Sequence, residues 1–336
     1  MTFDLSSLGW DTAFRSAYAG HARADQHPAR VVRVDRGVCT AIGATGPHRV
    51  TVGGGLLAAA AQDSTRLPGT GDWVVVRTWP DGRETVEAVL PRRTAIVRAA
   101  AGKESLPQVL AANVDSVAVV APVDPEPDPA TVERLLAVAW ESGARPLVVL
   151  TKVDLAADPE AIRDEIAEIA PGVDVLAVSA ATGRGLSELR PFVAAGRTLA
   201  LLGPSGAGKS TVVNALVGTT VMDTQAIRGS DGRGRHTTTY RALVPVPGGG
   251  AVLDTPGLRS VGLFDSTAGL AQTFADIDEL GELCRFRGCT HTREPGCAVA
   301  EALVTGELSR RRMASWRKLR RENTAAIARH RRRAQG

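Results

Sequence analysis

The sequence predicts a three-part chain: a small β-barrel, a doubly wound α/β domain, and a helical domain that carries a Cys/His-rich loop. Three observations support this. Short alternating segments come first in the chain, and continuous apolar runs alternate with amphipathic segments in its middle. Three of the four cysteines lie close together near the C-terminus.

Length and composition fit a multidomain soluble protein. The chain has 336 residues, of which 44% are hydrophobic and 23% charged, so neither wholesale disorder nor a membrane bundle is expected. Its N-terminus has no basic stretch before an apolar segment, and no apolar run approaches the ~18 residues of a membrane span. We therefore expect a cytoplasmic protein without a membrane partner. We also expect a monomer.

The barrel is expected at residues 31–95, after an N-terminal lead-in at residues 1–30 without clear periodicity. Short runs such as RVVRV, HRVTV, DWVVVRTW and ETVEAVL are separated by turn residues, including Pro80-Asp81-Gly82. Several short strands of this kind are typical of an OB-like barrel.

The α/β domain is expected at residues 110–265. Ser116 to Val120 and Pro146 to Leu150 are apolar runs typical of strands buried on both faces. Between them, Asp128 is a helix cap followed by Pro129. Further strands are predicted at 173–178, 198–202 and 251–253, with helical segments near 159–169 and 209–217. This alternation predicts a parallel sheet covered by helices.

A phosphate-binding loop follows the apolar run TLALL and precedes a helical segment, which is the expected context. Glycines allow backbone N–H groups to surround phosphate oxygens at a helix N-terminus. Lys209 would contact the β- and γ-phosphates and Ser210 would bind Mg²⁺. Only four of the 40 basic residues of the chain are lysines. A lysine at this position therefore indicates that arginine would not serve there. The loop and its flank are Gly203, Pro204, Ser205, Gly206, Ala207, Gly208, Lys209, Ser210 and Thr211.

A guanine-binding motif is predicted at Thr151-Lys152-Val153-Asp154, directly after a buried run. The Asp154 carboxylate can accept two hydrogen bonds from guanine, and the Lys152 stem would cover the base. The motif resembles the N-K-x-D sequence of GTPases, with threonine in place of asparagine. Ser179-Ala180 follows another apolar run and resembles a second guanine-contacting element.

Two further segments resemble the switch regions of GTPases. Asp254-Thr255-Pro256-Gly257 matches the D-x-x-G pattern, in which Asp254 would hold Mg²⁺ through water and the Gly257 N–H would contact the γ-phosphate. Upstream, one hydroxyl of the R-H-T-T-T stretch, Thr238 or Thr239, would complete the magnesium shell.

The catalytic group is open at this point. Leu258 follows Gly257, where many GTPases have a glutamine that orients water, so intrinsic hydrolysis should be slow or aided from elsewhere. His236 is the candidate catalytic residue, weighed evenly against a structural or RNA-contacting role.

The order of the motifs is unusual. An ordinary GTPase has its phosphate loop before its guanine motifs, whereas here residues 151–154 and 179–180 precede residue 203. The order predicts a circularly permuted GTPase domain, whose chain passes soon after the D-x-x-G motif into the third domain at residues 266–336.

A structural zinc site is predicted from Cys284, Cys289, His291 and Cys297, which supply three thiolates and one imidazole. Cys39 is isolated and is expected to be a small apolar residue in the barrel. Residues 310–333 hold eleven arginines and lysines and one acid, so this segment is the best nucleic-acid candidate; the alternative is a solvated helix face.

Together these motifs resemble the RsgA (YjeQ/EngC) family of small ribosomal subunit biogenesis GTPases over about residues 30–330. The resemblance rests on the R-H-T-T-T stretch, the C-x4-C-x-H-x5-C spacing and the permuted order. It implies late maturation of the small (30S) subunit, rRNA contact through the barrel and zinc domains, GTP hydrolysis with magnesium, and stimulation of hydrolysis by the subunit.

Two alternatives stay open on the sequence. One is a nucleic-acid-binding module that uses GTP as an affinity switch and barely hydrolyses it, which Leu258 favours. The other is a metal-handling GTPase, for which the Cys/His site should be open or labile.

Overall fold

The computed structural model describes residues 3–35, 37–98, 107–222, 242–255 and 265–334. Its strands are β1 (Gln26–Asp35), β2 (Val38–Gly43), β3 (Gly46–Val52), β4 (Trp73–Thr78), β5 (Glu84–Val89), β6 (Ala95–Arg98), β7 (Gln108–Ala112), β8 (Ser116–Pro122), β9 (Arg145–Thr151), β10 (Asp174–Val178), β11 (Thr198–Leu202), β12 (Ala242–Pro245) and β13 (Ala251–Asp254). Its helices are α1 (Thr12–Ala19), α2 (Gly54–Gln62), α3 (Pro129–Glu141), α4 (Pro159–Ile169), α5 (Leu186–Leu189), α6 (Lys209–Val217), α7 (Thr267–Thr273), α8 (Ala275–Glu282), α9 (Ala298–Thr305) and α10 (Arg310–Ala334). Among these helices none is both long and apolar enough to cross a membrane.

Strands β1 to β5 form the predicted barrel. They pair in the order β1-β2-β3-β5-β4, and β4 returns to pair with β1, which closes the barrel. Every second residue of a strand points inward, and these positions are small or β-branched, as in Ala29, Val50 and Val86, which are fully buried. Cys39 belongs to this core, where burial raises the pKa of its thiol to about 11.

The N-terminal segment is more than a lead-in, which corrects the expectation for residues 1–30. It contains α1 and the beginning of β1. Asp11 caps α1 by accepting from the backbone N–H groups of the next turn. The rings of Trp10 and Phe14 lie 4.8 and 5.8 Å from the buried Trp73 of the barrel. The segment is too short to show a periodic pattern. Its aromatic residues are the feature of the sequence that indicates packing against the barrel.

The α/β domain has the predicted buried parallel strands. Its strand order is β10-β9-β8-β11-β13, all parallel, followed by antiparallel β12. A single pair of residues, one from β12 and one from β1, joins this sheet to the barrel. The strands of the two domains therefore form one eleven-stranded sheet. Helix α3 begins at Pro129 and is capped by the Asp128 carboxylate, as the sequence indicated.

The C-terminal helices pack against α3 of the α/β domain. Gly269 of α7 lies so close that a Cβ there would be 2.0 Å from the carbonyl oxygen of Ala137. The basic segment forms α10, and one face of this helix buries Met313, Trp316 and Leu319. One face of the first half of α10 is therefore part of the hydrophobic core, so this segment is not a free basic tail.

Buried ion pairs attach α10 to the α/β domain. Glu133 of α3 is fully buried, and its carboxylate accepts from Arg311 at 2.9 and 3.0 Å and from Arg312 at 3.1 Å. Arg312 is also buried and donates to Asp276 and to the Thr273 carbonyl. The buried Arg312 neutralises the buried Glu133 carboxylate and is therefore not available to a polyanion, whereas Arg311 pairs with the same carboxylate from an exposed position.

We expect Glu133→Ala to destabilise the protein by about 3–5 kcal/mol, because it leaves the buried Arg312 short of a carboxylate. Equilibrium urea unfolding of the purified chain measures this change in the free energy of unfolding. Glu165→Ala, at an exposed position of α4, is the matched control and should change it by less than about 0.5 kcal/mol. Equal unfolding midpoints for the two variants would contradict the structural role of this ion pair.

Candidate nucleotide site and Cys/His cluster

The carboxyl edge of the parallel sheet gathers the sequence motifs. Strand β9 ends at Thr151, β10 ends before Ser179, β11 ends before Gly203, and β13 ends at Asp254. Because these strands are parallel, their ends meet at one edge, where open α/β sheets bind ligands. The sheet thus brings together motifs that are about 100 residues apart in the chain.

The phosphate loop occupies the turn between β11 and α6. Gly203 is required by packing, since a Cβ there would lie 2.4 Å from the carbonyl oxygen of Val120. Gly206 and Gly208 have φ angles of +83° and +85°, a region that favours glycine. Pro204, Ser205 and Ala207 complete the turn, and Lys209, Ser210 and Thr211 form the first turn of α6. The loop can therefore present backbone N–H groups and a helix N-terminus to an anion.

Lys209, Ser210 and Asp254 form a polar network beneath this loop. The buried Lys209 ammonium donates to the carbonyl oxygens of Gly203 and Pro204 at 3.0 and 2.9 Å. Ser210 Oγ donates to Asp254 Oδ2 at 2.9 Å. Burial raises the pKa of Asp254, although Lys209 and Ser210 act against the shift, and burial lowers the pKa of Lys209.

The other carboxylate oxygen of Asp254 fits a hydrated divalent cation. Oδ1 is buried and has no hydrogen-bond partner among the described residues. A buried carboxylate oxygen without a donor is costly unless a bound ion or water satisfies it. The Ser210 hydroxyl beside it is the group expected to ligate magnesium directly.

The guanine motif contacts the phosphate loop directly. Thr151 is buried, and its Oγ1 donates to the Ala207 carbonyl oxygen at 2.6 Å. Lys152 adopts a left-handed backbone with a φ of 59°, and its ammonium donates to the Asp124 carbonyl at 3.2 Å. Val153 is buried, whereas Asp154 is exposed in the 3-10 turn that follows β9. The Asp154 carboxylate is therefore accessible to a ligand at this edge of the sheet.

The second predicted guanine-contacting element forms a hydrogen-bonded turn. Ser179 is fully buried, and its Oγ accepts from the backbone N–H of Thr182 at 3.1 Å. This bond holds the turn that includes Ala180 next to the end of β10. The candidate magnesium and catalytic residues Thr238, Thr239, Gly257 and His236 lie outside the described residues, as does Leu258.

The four predicted metal ligands meet in one cluster. Cys284 Sγ lies 3.8 Å from Cys297 Sγ, and His291 Nδ1 lies 3.6 and 3.5 Å from these two sulfurs. Cys289 Sγ completes the set within 4.8 Å. Tetrahedral bonds of ~2.3 Å to zinc separate two sulfurs by about 3.8 Å, so the cluster has dimensions suited to a metal ion.

The loop around the cluster is held by its own hydrogen bonds. The Glu294 carboxylate accepts from the hydroxyl of Thr290 and from the backbone N–H groups of Thr290 and Thr292. Burial lowers the pKa of His291, which favours the neutral imidazole that binds metals. Four protein ligands leave no open position, as expected of a structural centre.

Two residues that hold segments next to the candidate nucleotide site are not evident from the sequence. Asn214 of α6 accepts from the backbone N–H groups of Val221 and Met222 and donates to the Met222 carbonyl, so it fixes the chain immediately before residue 223. Asp124 supplies the carbonyl that receives Lys152. Neither belongs to a recognisable motif, so only the three-dimensional arrangement identifies them.

The fold and the site define a circularly permuted GTPase. Solved structures of this class agree with the present one. The YjeQ protein of Thermotoga maritima is 26% identical, with a TM-score of 0.62 over 89% of this chain and 99% of that one. YloQ, described as a circularly permuted GTPase, is 24% identical and shares the fold with a TM-score of 0.60 over 91% of this chain and 97% of that one.

The chain belongs to the RsgA GTPase family, whose profile matches residues 89–264. A Streptomyces coelicolor protein named small ribosomal subunit biogenesis GTPase RsgA is 51% identical over 96% of this chain and 88% of its own length. A Streptomyces avermitilis protein of the same name is 48% identical over 96% of this chain and 87% of its own length. These relatives confirm the resemblance and the GTPase activity expected from the motifs.

Proposed function

We propose that this protein hydrolyses GTP to GDP and phosphate while bound to the small ribosomal subunit, and assists the late maturation of that subunit. The observation that supports this most is the hydrogen bond from Thr151 to the Ala207 carbonyl, which joins the guanine motif to the phosphate loop in permuted order. The small ribosomal subunit is inferred as the partner from the names of the two Streptomyces relatives. Such a protein would act in the cytoplasm, and we expect it to be monomeric.

In the proposed site the phosphate loop holds the triphosphate and Lys209 moves from the Gly203 and Pro204 carbonyls to the β- and γ-phosphates. Magnesium, when bound, would neutralise charge on the β- and γ-phosphates. Ser210 and Asp254 would hold it, the latter through water, with Thr238 or Thr239. The Gly257 N–H would contact the γ-phosphate, and His236 is the candidate for positioning the attacking water.

The Cys/His cluster would bind one structural zinc ion. Its role in function would be to fix the loop at residues 284–297 against α10, since Arg317 of this helix donates to the His291 carbonyl at 2.6 Å. Exposed arginines further along α10 would then meet rRNA phosphates, so binding should weaken steeply with salt.

Sedimentation with purified ribosomal subunits tests the proposed partner. We expect the protein to pellet with small subunits in a non-hydrolysable GTP analogue, and much less in GDP or with large subunits. Small subunits should also accelerate phosphate release. Binding to small subunits without any acceleration would instead support a GTP-dependent affinity switch, and equal binding to both subunits would overturn the proposed specificity.

Asp154→Asn should exchange the preference for guanine with one for xanthine. The carboxylate accepts two guanine N–H groups, and charged hydrogen bonds contribute about 1.5–3 kcal/mol each, so GTP affinity should fall by roughly 10²-fold or more. Titration with fluorescent GTP and XTP analogues measures both affinities. The control is Asp164→Asn on the exposed face of α4, which should change neither. An unaltered preference in Asp154→Asn would remove this residue from base recognition.

A further inference from the structure

A second cluster of metal-ligating side chains lies at one mouth of the β-barrel. His27, His48 and Glu84 belong to β1, β3 and β5, three strands of which only β3 and β5 are direct neighbours. Each can offer one ligand atom, and the three atoms lie within 4.8 Å of one another. The cluster is in a different domain from both the nucleotide site and the Cys/His cluster.

These three side chains continue the inward-facing positions of their strands. His27 precedes the buried Ala29 by two residues, and His48 and Glu84 stand in the same relation to Val50 and Val86. Alternation along a strand therefore places all three on the inner face of the barrel, directly beyond its apolar core. Charged and polar groups at such positions need partners, because burial without them is unfavourable.

The mouth has room for these rings because β2 contributes a glycine there. Gly43 follows the inward-facing Ala41 by two residues, and a Cβ at Gly43 would lie 3.1 Å from His48 Nε2 and 3.4 Å from His27 Cδ2. The two imidazole rings are 4.9 Å apart between centroids. Any larger residue at position 43 would press against the imidazoles.

Hydrogen bonds satisfy only some of the polar atoms of this cluster. His48 Nδ1 lies 3.0 Å from both carboxylate oxygens of Glu84, and His48 Nε2 lies 2.8 Å from Thr45 Oγ1. His27 Nε2, in contrast, is buried and has no hydrogen-bond partner among the described residues. A polar plug held by hydrogen bonds alone would leave this nitrogen unsatisfied, whereas a metal ion would bind it.

We propose that the barrel mouth binds one zinc ion through His27, His48 and Glu84, with a fourth position left to water. Two imidazoles and one carboxylate form a ligand set known for zinc, whereas magnesium and calcium prefer oxygen ligands. With neutral imidazoles the cluster carries the single negative charge of Glu84, which suits a cation. Side-chain rotation would bring the ligand atoms to the ~3.4 Å separations of a tetrahedral site.

Zinc stoichiometry of the full chain tests this site. We expect two zinc ions per chain after dialysis against micromolar zinc and desalting, one in each cluster, and one zinc ion in the double variant His27→Gln/His48→Gln. His21→Gln, at a histidine of the N-terminal segment outside the cluster, is the matched control and should keep two. A single zinc ion in the unaltered chain, or two in the double variant, would overturn the proposal.

Cobalt substitution assigns each ion to its cluster. Cobalt bound by Cys284, Cys289 and Cys297 gives intense sulfur-to-metal charge-transfer bands in the near ultraviolet, whereas the barrel site should add only weak visible bands. Loss of the weak bands alone is expected in Glu84→Gln. If a variant fails to fold, the zinc count and the cobalt spectrum of the unaltered chain still decide the question. The proposal requires a second cobalt site that adds visible bands but no further thiolate charge-transfer bands.

Discussion

Lys209→Ala should lower the rate of GTP hydrolysis by about 10²–10³-fold, the usual cost of removing one charge-stabilising donor from a transition state. In the present structure the ammonium is buried and donates to two carbonyl oxygens of its own loop. A bound triphosphate offers stronger acceptors, so the same group is positioned to follow charge as it develops on the γ-phosphate. The neighbouring Lys152 donates instead to the Asp124 carbonyl, at the guanine motif.

Single-turnover hydrolysis with excess enzyme, with and without small ribosomal subunits, measures this loss. The control is Lys318→Ala, which removes one of the four lysines from an exposed position on α10. It should leave intrinsic hydrolysis unchanged and only weaken binding to the subunit. A Lys209→Ala variant that hydrolyses GTP within threefold of the unaltered chain would contradict the assignment of the phosphate loop.

The sequence was most informative where one physical requirement dominates. Buried parallel strands must be apolar along their whole length, and accordingly β8, β9 and β11 lie where continuous apolar runs predicted them. The phosphate loop needs glycines at fixed positions, so its place between a strand and a helix could also be predicted.

The residues that the sequence did not indicate depend on contacts between distant segments. Glu133 is an ordinary helix residue in the sequence, and its burial becomes apparent only where the C-terminal helices pack on α3. His27, His48 and Glu84 are separated by 21 and 36 residues, and no motif links them before the barrel closes. Thr151 replaces the usual asparagine of the guanine motif, and its hydroxyl makes the hydrogen bond that joins this motif to the phosphate loop.

Cys297→Ser should have the largest effect on stability, because it removes a metal ligand, although a serine hydroxyl can still cap α9. Cys297 is the N-cap of α9, where its sulfur accepts from the Ala300 N–H at 3.4 Å. It also packs beside His291, whose ring lies 5.8 Å from that of Trp316 in the core face of α10. The metal cluster thus ties the loop, α9 and α10 together.

The expected loss is several kcal/mol of unfolding free energy for the C-terminal domain. Zinc-finger peptides bind zinc with apparent free energies of about 10–16 kcal/mol near neutral pH, and that binding energy is folding energy. Urea unfolding followed by circular dichroism, together with the zinc content of the Cys/His cluster, measures the change. Removal of the metal from the unaltered chain by a strong chelator should lower the unfolding free energy of the C-terminal domain in the same way.

Cys39→Ala is the matched control for this cysteine variant. Cys39 is equally buried but lies in the barrel core, far in sequence from the cluster, so its replacement should leave the zinc content of the Cys/His cluster unchanged. Its cost should be that of a small core truncation, about 1 kcal/mol. If Cys297→Ser instead matched Cys39→Ala in stability, the cluster would not be holding the C-terminal helices. A labile metal lost without unfolding would then favour metal handling over a structural role.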